Sequence, residues 1–130
     1  MKPVTLEWVK KAEADFESAD LELGVTGRRP NYDLICFLSQ QSVEKYLKAT
    51  LQEYGIDFPK VHDLTVLLDF ALDREPFWEA WRKSFNRLKG FAVEFRYPGE
   101  DAEGSDAAFA FKTAKSFRSI ARETLDLEHT

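Results

Sequence analysis

Three short segments carry side chains able to do chemistry, each where a helix or turn would hold them. The run Gln40-Gln41-Ser42-Val43-Glu44-Lys45-Tyr46-Leu47-Lys48 sets Gln41, Glu44, Lys45 and Lys48 on consecutive turns of one helical ridge. There Gln41, Lys45 and Lys48 would offer donors to a phosphate or to a partner's carboxylates. The same spacing also describes an ordinary charged helix face, with Glu44 and Lys48 paired at i, i+4 for only ~0.2–0.5 kcal/mol.

His62 and Asp63 stand at the entrance to an apolar periodic segment. Imidazole titrates near neutral pH and can donate to a phosphate, and the open N–H groups of a helix start attract anions. The alternative is structural: Asp63 caps the helix and His62 bonds a nearby carbonyl. Arg96-Tyr97-Pro98-Gly99 closes an aromatic helix, and Pro98 stiffens that turn. A guanidinium held there suits a carboxylate or phosphate fork, or else pairs with an acid to fix the turn. Most enzyme signatures are missing: there is no Gly-rich phosphate loop, no Cys/His ligand spacing and no Gly-x-Ser-x-Gly elbow. With His62 and His129 the only histidines, no multi-histidine metal site can be built, and neither a metal nor a cofactor is expected.

Holding these groups takes helices. Helical periodicity recurs five times and no alternating, strand-like run occurs, so the class is all-α with five helices. The first runs from about Thr5, a candidate N-cap, with Trp8, Ala12, Phe16, Ala19 and Leu23 on one face and a solvated acidic face opposite. Gly24, Gly27 and Pro30 end it. The second begins near Asn31 to Asp33 and continues to about Tyr54, where Gly55 offers a stop and Pro59 an exit. Its two apolar stripes, Leu34 with Leu38 and Val43 with Leu47, Leu51 and Tyr54, suit a central helix touching neighbours on two sides. The third follows His62-Asp63 through Leu64, Leu67, Leu68 and Ala71. The fourth opens at Pro76 and aligns Trp78, Trp81, Phe85, Leu88 and Ala92, with Gly90 a place to bend or to admit another backbone. Ser105 or Asp106 caps the fifth, whose stripe is Ala107, Ala110, Ala114, Phe117, Ala121 and Leu125. Lys112, Lys115, Arg118 and Arg122 lie along its flank.

The chain's 130 residues correspond to one domain, 1–130. Its 11 Phe, 4 Tyr and 3 Trp supply a core without a metal or disulfide staple. Cys36, the lone cysteine, lies in the apolar run Leu34–Leu38 and reads as a reduced, buried thiol. No stretch is apolar enough to span a bilayer and no signal-peptide core opens the chain, so a soluble, cytoplasmic protein without a membrane role is expected. A net charge of −5 argues against a broad basic nucleic-acid surface. It leaves room for a local basic groove, because Arg82, Lys83, Arg87, Lys89, Lys112, Lys115, Arg118 and Arg122 cluster between residues 82 and 122.

Tyr32-Asp33, Phe37, the run Gln40 to Ala49, Phe58, His62-Asp63-Leu64 and Arg96-Tyr97-Pro98 together resemble, in order, the pattern of the HEPN family. The resemblance spans nearly the whole chain. It implies an up-and-down bundle that commonly forms a homodimer, often encoded beside a minimal nucleotidyltransferase as a toxin–antitoxin-like pair. Many active members of that superfamily cut RNA without metal, using an Arg and a His with four to six residues between them on the last conserved helix. Here only Arg122 and His129 offer such a spacing, at the end of the chain, and Arg96 is followed by no such His. The reading that results is a nucleotide- or partner-binding module, with Gln41, Lys45, Lys48, His62, Asp63, Arg96 and Tyr97 as binding residues and little claim to catalysis. Two further readings stand beside it. One is a metal-independent endoribonuclease toxin acting on RNA through Arg122 and His129, or through Arg96 and His62. The other is an interaction domain whose basic fifth helix docks an acidic partner.

Overall fold

Asn31 opens the longest helix by accepting the Leu34 N–H on its side chain at 3.1 Å. Gly55, at φ 70°, takes the left-handed turn that ends it. In the computed structural model, which describes residues 1–128, this helix is α2 (Tyr32–Glu53). It follows α1 (Pro3–Leu23) and precedes α3 (Leu64–Ala71), α4 (Arg82–Glu94) and α5 (Gly104–Thr124). The protein is an all-α, five-helix bundle, with no strand among the described residues. None of its helices is long and apolar enough to cross a membrane. The second helix is central, packing against each of the other four.

The alanine stripe of α5 explains how closely two helices can meet. Ala107, Ala110, Ala114 and Ala121 are all buried, so the backbone of α5 approaches α2 without large side chains between them. Phe117, fully buried, fills the remaining space within a cage of aromatic edges. Its ring centroid lies 5.1 Å from Trp78, 5.4 Å from Trp81 and 5.1 Å from Phe85, all near perpendicular. Such pairs add about 0.5–1.5 kcal/mol each beyond the area they bury.

That cage also corrects the start of the fourth helix. A single helix from Pro76 is expected, yet Pro76–Trp81 is a 3-10 helix and α4 proper begins at Arg82. In a 3-10 turn residues i and i+3 eclipse, so Trp78 and Trp81 both face Phe117, which the α-helical pitch would not allow as fully.

Other local expectations shift too. Lys2, not Thr5, precedes the first helix, and Thr5 is buried, donating its hydroxyl to Glu53 at 2.9 Å. Glu103, not Ser105 or Asp106, is the cap of α5, with Asp106 reaching back to accept the Glu103 N–H at 2.9 Å. Leu34 is exposed rather than part of an inner stripe. At Gly90 no neighbouring atom lies within 4 Å of where a Cβ would stand, so no backbone comes close there. Two contacts fasten the loop before α5 to the start of α2: Asp33 accepts the Ala102 N–H at 2.7 Å, and the Tyr32 ring lies 3.4 Å from where a Cβ on Gly104 would stand.

The acidic face of α1 is not simply solvated. Arg118 forks onto Glu13 with two bonds of 2.7 Å, and Arg122 reaches Glu13 at 3.2 Å and the Tyr46 hydroxyl at 3.1 Å. Burial pushes the Glu13 carboxyl upward, but hydrogen bonds from Arg118 and Tyr46 and the two guanidinium charges outweigh it and hold the group below its ordinary value of 4.5. A depressed carboxyl contributes stability that is complete above its unfolded value and vanishes as pH falls through the folded one. Glu13→Gln should therefore be less stable than the parent at neutral pH, with the gap narrowing as pH drops below about 4.5, read from urea midpoints across an acid series.

Candidate functional site

Glu44 faces inward from α2 with its side chain 3% exposed, a costly place for a carboxylate. Three donors answer it. Lys48, one turn on and 7% exposed at its side chain, bonds Oε2 at 2.9 Å. Gln40, one turn back, donates to Oε1 at 3.2 Å. The Nδ1 of His62, on the segment leading into α3, lies 2.8 Å from Oε2. The Lys48 ammonium also sits 5.4 Å from the centroid of the Trp8 ring, so α1 closes the far side of the pair.

This geometry fixes an imidazole. A carboxylate oxygen already accepting from an ammonium can only accept from Nδ1 as well, so a neutral His62 carries its proton there and keeps a lone pair on Nε2. Gln40 supports the same segment by donating to the His62 carbonyl at 3.4 Å. The rest of the ring is open, with 81% of the side chain exposed. It lines a groove of about 800 Å³ shared with Phe37, Gln40, Gln41, Asp63, Lys89, Gly90, Ala92, Val93 and Arg96.

Asp63 plays the part expected of a cap, accepting the Thr65 N–H at 2.9 Å and the Val66 N–H at 3.4 Å. It also receives Lys89 from α4 at 3.0 and 3.2 Å, and Lys89 reaches the Thr65 hydroxyl at 3.2 Å. Burial raises the Asp63 carboxyl, while Thr65 and Lys89 pull it down further, leaving it below its ordinary value. Arg96 at the end of α4 forms no ion pair among the described residues. It is thus the groove's open cation.

Of the seven expected binding residues, Gln41, His62, Asp63 and Arg96 meet in this groove. Lys45 turns the other way to pair with Asp15 of α1. Lys48 is buried behind the groove wall, acting on His62 only through Glu44. Tyr97 is 64% exposed and does not line the groove. The ordinary charged face that Glu44 and Lys48 would otherwise form is instead a buried pair. Arg122 is held by Glu13 and Tyr46, and it also bonds the Glu128 carbonyl; His129 lies outside the described residues. The basic flank of α5 is likewise halved, because Arg118 and Arg122 both turn to Glu13 while Lys112 and Lys115 remain exposed. Lys89, expected only as one of a broad cluster of cations, and Val93 also line the groove. Their signal is the spacing Lys89 and Val93 at i, i+4 on one face of α4, with Arg96 in the turn just past the helix end. The remaining cysteine is out of play, since Cys36 is buried and burial pushes its thiol up to about 12.

A sequence profile of the HEPN domain matches residues 5–124. The chain belongs to the HEPN family. No curated protein and no solved structure gives a significant match. The HEPN match takes in every residue of the groove and also Arg122, and it stops short of His129.

Removing one member of a buried pair strands the other charge, a loss of about 3–5 kcal/mol. Lys48→Met in this HEPN domain should reach that range in guanidinium denaturation, and adding Glu44→Leu should recover much of it.

Proposed function

We propose that this HEPN domain is a nucleotide-binding module whose ligand lies in the groove between α2, the start of α3 and α4, and that it serves as the partner of a minimal nucleotidyltransferase in a toxin–antitoxin-like pair. One observation carries the nucleotide reading: an open guanidinium, the His62 imidazole, the Gln41 amide and the half-exposed Phe37 ring share one concave surface. Arg96 suits a phosphate, since a charged guanidinium forms paired bonds to phosphate oxygens. The Phe37 ring offers a face on which a base can stack. The Gln41 amide and the His62 ring supply hydrogen-bonding groups that a base edge or a sugar hydroxyl calls for. The groove's volume falls within the roughly 300–1,000 Å³ typical of small-molecule sites. The nucleotidyltransferase partner follows from the family resemblance and the homodimer from the same source. Titration calorimetry against a panel of nucleoside mono-, di- and triphosphates tests the reading. Arg96→Ala should weaken whichever nucleotide binds by about ten- to a hundredfold, the loss of a charge-assisted bond. A panel without any binding would overturn it.

A second reading is favoured by the meeting of His62 and Arg96 in one groove. Nε2 is placed as a proton acceptor and Arg96 as a cation for a phosphodiester, the two roles a metal-independent ribonuclease needs. RNA cut by the parent and left intact by His62→Ala would establish it; RNA equally intact with both would remove it.

A further inference from the structure

The groove does not end at Arg96. A smaller cavity of about 340 Å³ continues beyond it, lined by Asn31, Asp33, Leu34, Phe91 and Phe95. Phe37, Ala92 and Arg96 belong to both cavities and form the waist between them. A single open guanidinium therefore stands at the junction of two concave surfaces.

The two sides differ in chemistry. The larger cavity carries the polar groups His62, Gln41 and the Asp63–Lys89 pair. The smaller is lined mostly by aromatic and aliphatic side chains, together with Asp33 and Asn31. Asp33 Oδ1 accepts the Ala102 N–H and Asn31 Oδ1 accepts the Leu34 N–H. That leaves one carboxylate oxygen and one amide NH2 group for a visitor. A carboxylate beside this cavity repels a second phosphate. An acceptor and a donor above aromatic walls suit instead a neutral planar group with a mixed hydrogen-bonding edge.

Resting on the nucleotide reading above, we infer that the ligand has two units: a dinucleotide whose single bridging phosphodiester lies on Arg96, one nucleoside in the large cavity and the other in the small one. A mononucleotide would fill only the large side. An acidic peptide would also place a carboxylate on Arg96, but a further acidic side chain would be repelled by Asp33 in the small cavity, whose two polar side chains match a base edge.

Calorimetry with AMP, ApA and dApdA, together with an Asp-Phe dipeptide, tests this. Under the inference ApA and dApdA both bind, the better by about tenfold over AMP, the gain from placing a second base. The ratio between them assigns the ligand to ribose or deoxyribose chains. Leu34→Trp, which puts an indole into the small cavity, should bring the dinucleotide-to-AMP ratio down to about one. AMP binding with no advantage for either dinucleotide would overturn the inference and leave the nucleotide reading standing. Absence of binding by both dinucleotides would overturn the inference, a nucleotide panel silent as well would overturn both readings, and dipeptide binding without nucleotide binding would replace them with a protein ligand.

Discussion

A charged carboxylate inside the bundle is the constraint around which the site is organised. Burying the Glu44 carboxylate requires Lys48, Gln40 and His62 within hydrogen-bond reach, since desolvating a lone charge costs several kcal/mol. Meeting that requirement joins distant parts of the chain. Lys48 needs the Trp8 face on α1, and His62 needs the segment before α3 folded back on α2. The imidazole that faces the groove is thus held by the same group that binds the second helix to its surroundings.

On the opposite wall the control is different. Lys89 joins α4 to the start of α3 through Asp63 and Thr65, fixing the separation of those elements. Because Lys89 is engaged in this way, most of the positive character facing the groove belongs to Arg96. A chain of net charge −5 can present a local attraction for anions by this arrangement, without the broad basic surface that its composition excludes.

Much of the fold was legible because periodicity reports burial directly. Leu64, Leu67, Leu68 and Ala71, and the stripe from Ala107 to Leu125, are buried as their spacing demands. Asn31 and Asp63 cap the helices they precede, because a short polar side chain ahead of an apolar run has few other roles. What spacing does not report is which way a charge on a helix turns. Glu44, Lys45 and Lys48 are neighbours on one ridge, yet Lys45 is drawn to Asp15 while the other two are covered by Trp8 and His62, both remote in sequence. Arg118 and Arg122 look like a free basic flank until Glu13 of the first helix is placed beside them. The 3-10 turn at Pro76–Trp81 packs both its tryptophans on Phe117, some forty residues on, a partner that no local pattern reports.

The tether between Asp33 and Ala102 bears on how this molecule can change. Arg96 leaves α4 just before the loop and Ala102 is tied down just after it, while Tyr97, Pro98, Gly99, Glu100 and Asp101 between them are all exposed. With α4 on one side and the Ala102 tether on the other, added length enters the exposed loop at little entropic expense. This tip is accordingly the place where descendants can vary in size without disturbing the cleft, and where an epitope or fluorophore could be grafted.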